Sequence, residues 1–151
     1  MYSKINQLEK TNKILSSFNV STNRDEREPL VHISKDIKDI EAKHFNNNLE
    51  YLKNLSKYKY NLCPEGNGFE SHRLWETLFF ENIPIVKNNL VNQNFLNLGV
   101  PFVMLNNWED LISNNLFLVL EKSFFNKDSN PRDFLSFNFW KERIEIQRSL
   151  I

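Results

Sequence analysis

Residues 63–86 read CPEGNGFESHRLWETLFFENIPIV. The six residues before them, Tyr58-Lys59-Tyr60-Asn61-Leu62-Cys63, alternate in polarity and are closed by Pro64, the signature of a strand running into a turn. That turn, Pro64 to Phe69, holds Gly66 and Gly68, two of the three glycines in the chain. From about Glu70 to Glu81 the residues Leu74, Trp75, Leu78 and Phe79 recur at helical spacing, which predicts an amphipathic helix. Ile83-Pro84-Ile85-Val86 then reads as a second strand, with Pro84 placing it at a strand start or a sheet edge. Strand, turn, helix and strand in this order form a βαβ unit, and such units build parallel sheets.

The flanking sequence repeats the alternation. Lys13 to Val20 is apolar and β-branched enough for a short buried strand, and residues 1–12 before it form a polar lead-in. Ser21 to Arg27 supplies capping side chains followed by acids; Pro29 is tolerated in a first helical turn, so a helix should begin near Asp25 or later. Residues 44–57 carry Phe45, Leu49, Leu52 and Leu55 near one helical face. Pro101 to Leu105 reads as another strand, and Asn107 with Asp110 as a cap opening a helix over 108–124. A polar turn over 126–132 leads into a final helix over 131–150 bearing Phe134, Phe137, Trp140, Ile144 and Ile146. The predicted architecture is α/β: a Rossmann-like parallel sheet of about four strands with flanking helices. Residues 13–125 form its body, and an aromatic C-terminal helix within 126–151 packs against it.

The chain has 151 residues, enough for about one domain at roughly 100 to 200 residues per domain. Its 19 basic and 19 acidic residues balance, so no global field draws in nucleic acid or an anionic membrane, and any anion site must be local. The single cysteine, Cys63, excludes an internal disulfide. No stretch approaches the ~20 apolar residues of a transmembrane segment, which points to a soluble, cytoplasmic protein. The asparagine-rich stretch Asn46-Asn47-Asn48 receives no functional weight.

In an open parallel sheet ligands bind beyond the carboxyl ends of the strands. The turn 64–69 lies there. Glycines let backbone N–H groups converge on a ligand, and the helix that follows adds a partial positive charge, so phosphate is the natural guest of Gly66, Asn67 and Gly68. His72 and Arg73 in the first turn strengthen such a site. Glu76 repels phosphate and suits a neutral polyol edge such as a ribose. His72 and Arg73 stand four and three residues from Glu76, so all three share one side of the helix. Phosphate loop plus ribose carboxylate describes a nucleoside diphosphate. Against this stand plainer readings: an ordinary glycine turn, a surface ion pair between Arg73 and Glu76, and Trp75 as core. A Cys63–His72 nucleophile is disfavoured because free cysteine is mostly buried. His32, His44 and His72 have no metal-ligand spacing, and no Gly-Lys-Ser/Thr follows Gly68.

The run from Cys63 to Leu78, continued by Ile83 to Lys87, resembles the nucleotide-sugar-binding lobe of exostosin-like glycosyltransferases, with a CP-x-GxG turn, HR-x-WE-x-L and IPIV. Phe18 to Asn23 with Arg27, and Pro101 to Val103 with Asn107 to Leu111, extend the resemblance over roughly 13–121. Glu70 stands where an aspartate is usual, and Asn82 where a glycine is common. The resemblance implies a single lobe of the two-lobe GT-B architecture, with Glu76 on the donor ribose. Gly66 to Gly68, His72, Arg73 and Arg27 would face the diphosphate. Metal-independent donor binding fits better, because the sequence has no Asp-x-Asp pair to hold a divalent ion on a diphosphate, and no cofactor beyond the nucleotide-sugar donor substrate is expected. In that family an N-terminal lobe binds the acceptor and usually holds the base, so this chain reads as the donor half, with a missing N-terminal lobe or a partner subunit to complete it. The alternative is a catalytically inactive nucleotide-binding or interaction module, a remnant whose aromatic C-terminal helix meets a partner.

Overall fold

The computed structural model describes residues 9–149; most of the polar lead-in and the last residue of the predicted final helix lie outside them. Five parallel strands and one short antiparallel strand form a single sheet. In chain order the elements are β1 (Thr11–Ser16), α1 (Arg24–Ser34), β2 (Ile40–Ala42), α2 (Asn48–Leu55), β3 (Tyr58–Leu62), α3 (His72–Phe79), β4 (Ile83–Lys87), α4 (Leu90–Asn97), β5 (Phe102–Leu105), α5 (Leu116–Lys122), β6 (Phe124–Phe125) and α6 (Phe137–Ser149). The Rossmann-like α/β class is as the sequence indicates, with six strands where about four are expected. The four predicted strands are β1, β3, β4 and β5, in parallel register, for example Ile14 with Tyr60 and Ile85 with Val103. The additional two are an edge on each side: β2 pairs with β1, and the two-residue β6 runs antiparallel to β5. Neither is long enough to show a strand period in sequence.

The sheet order is β2-β1-β3-β4-β5-β6. From β1 the chain steps one way to β2, then returns past β1 to β3 and continues in that direction. Right-handed crossovers then put helices on opposite faces before and after the reversal. The packing follows this rule. Leu30 of α1 and Leu116 and Leu120 of α5 cover Ile14, Tyr60, Leu62, Ile85 and Val103 on one face. On the other, α2 covers Leu15 and Tyr58 with Tyr51 and Leu55, and α3 sets Leu74 and Leu78 on Val86 and Phe102. With both faces covered, the central strands are buried at consecutive positions.

Local chemistry sets the helix ends. Asn23, Asn47, Ser71 and Asn89 each stand at an N-cap with a side-chain oxygen accepting from a first-turn N–H. Helix α1 starts at Arg24, so Pro29 lies in its second turn rather than its first. Proline there cannot give the Asp25 carbonyl its helical donor; both residues are exposed. Helix α4, absent from the sequence reading, has a weak apolar stripe and buries only Asn92. The predicted helix over 108–124 is broken: Asp110 accepts from the N–H groups of Asn106 and Asn107, which closes a 3-10 turn over Trp108–Leu111, and α5 restarts at Leu116. The final helix divides likewise into a 3-10 turn over Pro131–Leu135 and α6. Phe134, Phe139 and Trp140 pack against one another and Trp140 meets Trp75, while Phe137, Ile144 and Ile146 are exposed.

Glu81 follows α3 with a left-handed backbone, φ 55°. The Asn82 N–H bonds to Thr77 O (3.0 Å) and the Glu81 N–H to Leu78 O (2.9 Å), a Schellman closure. Gly99 closes α4 in the same way at φ 92°. Glu81→Gly should therefore raise stability by about 1 kcal/mol in urea denaturation. Glu81→Gln, which keeps the strained backbone and loses the exposed pair with Arg132 and the charge near Lys10, should give no gain.

At the β1–β2 edge the Glu41 carboxylate accepts from Lys13, from the Tyr58 hydroxyl and from Lys43. These bonds, that from Lys13 foremost, hold its pKa at about 2, below the ordinary 4.5. A carboxyl depressed by folding stabilises the native state above its unfolded value and loses that contribution as pH falls through its folded value. Glu41→Gln should flatten the stability profile between pH 4.5 and about 2, as read by denaturation at a series of acid pH values.

Candidate functional site

The reversal of strand order falls between β1 and β3, and at such a point the loops leaving the two strands part and open a crevice at their carboxyl ends. Two adjoining cavities occupy that place. One, of about 390 Å³, lies between Ser17 to Asn19 after β1, the segment from His44 to Tyr51 leading into α2, and His72, Arg73 and Glu76 of α3. The other, of about 370 Å³, lies between Asn19, Thr22 and Arg27 on one side and Gly66 to Gly68 with Glu70 to Arg73 on the other. Asn19, His72 and Arg73 line both, so the cavities form one cleft with two compartments.

Arg27 holds the cleft's floor together. Its side chain is 2% exposed. Nε donates to Glu65 O in the loop after β3 (2.7 Å), and one terminal nitrogen donates to Asn19 O in the loop after β1 (2.7 Å). The guanidinium lies over the Phe18 ring, 5.6 Å from its centroid. Asn23, one turn earlier, adds a bond from Nδ2 to Gly66 O (3.0 Å). Burial, and then the neighbouring Arg73 charge, push the Arg27 pKa down from its usual value, with Glu26 partly offsetting them. The Glu26 carboxylate itself is occupied by Lys87 and by Trp108 Nε1.

Arg73 reaches across the cleft. Its Nε donates to Ser17 O at the end of β1, and its guanidinium stacks over Tyr51, 5.7 Å from the ring centroid. Helix α3 is fixed beneath it by Asn61, whose Nδ2 donates to Thr77 Oγ1 (2.8 Å). Among the described residues neither Arg27 nor Arg73 forms an ion pair. The Arg73–Glu76 surface pair considered from sequence does not form, because the backbone carbonyl of Ser17 takes the guanidinium instead. The Glu76 carboxylate, half-buried on the wall of the larger cavity, and the exposed His72 ring make no side-chain hydrogen bond among the described residues.

The glycine turn differs from its expected use. The Gly66 N–H points back to Gly68 O (3.1 Å) and is not free for a ligand. Neither glycine has a positive φ. Space is tight at Gly66: a Cβ there would stand 3.3 Å from an Arg27 terminal nitrogen, which would have to give by a few tenths of an ångström. A Cβ on Gly68 would meet nothing within 4 Å. Cationic side chains therefore dominate this compartment. All seven residues singled out from sequence, Arg27, Gly66, Asn67, Gly68, His72, Arg73 and Glu76, line the cleft. Sequence reading missed Ser17 to Asn19, Tyr51, and the asparagines 47 and 48, which had been set aside. Asn47 caps α2, accepting from Glu50 N (2.9 Å), and that cap turns the segment toward α3; the signal was an Asn-x-x-Glu start.

Trp75 faces away from both cavities, edge-on to Phe95 and Trp140 (5.2 and 5.8 Å) with Nε1 donating to Glu70 (3.0 Å), so its place is core. Among the described residues no group of three or more His, Cys, Asp or Glu stands close enough to hold a metal ion, and no helix is long and apolar enough to cross a membrane. Searches against known protein families and curated proteins match the chain to no family model and to no curated protein.

Cys63 is buried, with Sγ 3.5 Å from Asn61 O and 3.6 Å from Thr77 Oγ1. Burial pushes its pKa up to about 12 against the lowering effect of Thr77. The thiol should resist an alkylating reagent at neutral pH in the folded chain and react once denaturant is added. Fast alkylation of the native chain would return Cys63 to consideration as a nucleophile.

Proposed function

We propose that the cleft binds a nucleoside-diphosphate sugar and that the chain is the donor-binding lobe of a glycosyltransferase. The observation that supports this best is a pair of guanidiniums, Arg27 and Arg73, brought to the carboxyl ends of β1 and β3 without a carboxylate partner among the described residues. A carboxylate equally without a partner, Glu76, stands one helical turn further along the same wall. Two cations held by carbonyls keep their charge for a bound anion, and a diphosphate supplies it. Arg73 would contact the diphosphate directly from its position between the compartments. Arg27 would contribute charge from beneath, and His72 from the rim. Glu76 would accept from the ribose hydroxyls. The base then extends toward Phe45, Asn47 and Asn48, where the larger cavity is lined by ring and amide groups. In this reading the general base belongs to an acceptor-binding lobe, and the residues here bind and orient the donor.

A second reading, a nucleotide-binding module without turnover, keeps the same cleft. It is favoured by the apolar residues Phe137, Ile144 and Ile146 that α6 leaves exposed, a surface suited to a partner.

Calorimetric titration with nucleoside diphosphates, their sugar conjugates and pyrophosphate tests the site. Glu76→Ala should weaken a nucleoside diphosphate by about 1–3 kcal/mol while leaving pyrophosphate binding intact or improved, because only the ribose contact is lost. Arg73→Ala should weaken both ligands. A folded chain that shows no saturable nucleotide binding at millimolar ligand would overturn the proposal.

A further inference from the structure

The turn beside the smaller cavity carries a chemistry that ligand binding does not use. Asn67-Gly68 is the one Asn-Gly step in the sequence. Asn19, Asn23 and Asn47 around the same cleft are restrained, each accepting a backbone N–H as a cap. Asn67 is exposed and forms no hydrogen bond among the described residues. The residue after it is a glycine, which carries no side chain, and the space around it is open: a Cβ built on Gly68 would meet no atom of a non-neighbouring residue within 4 Å. Asn67 and Gly68 are thus consecutive exposed residues, and no hydrogen bond among the described residues restrains the Asn67 amide. Both residues line a compartment shared with Arg27, His72 and Arg73.

We propose that Asn67 is a site of spontaneous deamidation whose product discharges the cleft. The Gly68 backbone nitrogen, after losing its proton to hydroxide, attacks Cγ of Asn67. A C–N bond forms, the bond to the side-chain nitrogen breaks, and that nitrogen leaves as ammonia once it has taken up a proton. The resulting five-membered succinimide adds one water and opens to aspartate or isoaspartate. One water is consumed and one ammonia released, with no oxidant or reductant. Glycine favours the cyclisation because no side chain blocks the approach of its nitrogen. The guanidiniums of the compartment favour the negative charge that develops on nitrogen and oxygen.

The product carboxylate stands on the wall of a cavity whose two arginines have no acidic partner. It pairs with them and repels an incoming phosphate, as any charge-adding modification does beside cations that serve a ligand. Isoaspartate also lengthens the turn backbone by one methylene. The modification itself follows from the turn; its consequence for binding rests on the reading of the cleft as an anion site.

The experiment is incubation of the purified chain at mildly alkaline pH, with peptide mass mapping over time, beside Gly68→Ala and Asn67→Asp variants titrated with pyrophosphate. Asn67 should convert before any other asparagine, and Gly68→Ala should slow that conversion severalfold. Asn67→Asp should bind pyrophosphate about tenfold more weakly than the fresh chain. Conversion of Asn67 no faster than that of other asparagines, or a rate unmoved by Gly68→Ala, overturns the modification. Equal pyrophosphate affinity in Asn67→Asp and the fresh chain overturns the discharge. A fresh chain that binds no pyrophosphate overturns the anion site and the discharge with it, while the conversion rate still decides the modification.

Discussion

A single guanidinium organises the carboxyl edge of this sheet. Arg27 donates to the carbonyls of Asn19 and Glu65, one in the loop after β1 and one in the loop after β3. Those loops leave adjacent strands at the point where the sheet order reverses, so the geometry of a doubly wound fold drives them apart. A donor buried between them satisfies two carbonyls that would otherwise face the crevice unpaired. The cost is a desolvated cation, visible in the lowered pKa of Arg27. Phe18 lies beneath the guanidinium, and the absence of a Cβ at Gly66 leaves room beside it. A charge buried without its counterion is an unusual thing for a fold to keep. Glu26 compensates it in part, and in the proposed function a bound diphosphate supplies the rest.

Helix α3 joins this edge to the core. Leu74 and Leu78 pack on the sheet while Thr77 takes the Asn61 amide. The opposite side of the same two turns presents His72, Arg73 and Glu76 to the cleft. Arg73 then repeats the tactic of Arg27 at the other compartment, bonding to the Ser17 carbonyl and stacking on Tyr51. The site therefore consists of side chains from rigid elements steadied by backbone carbonyls, and the glycine turn contributes room more than hydrogen-bond donors.

The βαβ unit was legible because its signals are local. Alternation over Tyr58 to Cys63, a glycine turn and a helical stripe each act within a few residues, and the helix and strands appear where those signals place them. The failures have physical causes as well. Strands β2 and β6 are two or three residues long and exist because a neighbouring strand offers them hydrogen bonds. The break near Leu111 is made by Asp110, which turns its carboxylate back onto two amides. Pro29 sits deeper in α1 than the sequence rule allows, on the exposed side of the helix.

Six of the seven candidate residues stand together in one glycine turn and helix start, a local pattern, and Arg27 is suggested only by the family resemblance; all seven line one cleft. Their partners could not be named from sequence. That Arg73 bonds to Ser17 rather than to Glu76, that Arg27 spans two loops, and that Asn47 turns the wall opposite α3 are long-range facts, decided by which elements pack together. The amino-acid sequence alone determined the α/β class, the strand that ends at Leu62 and the polarity of α3, since each follows from periodicity within one element. Only the tertiary structure decided where the sheet reverses, and so which loops form the cleft and which cations remain without a carboxylate. Those outcomes depend on contacts between residues far apart in the chain, and no local pattern encodes them.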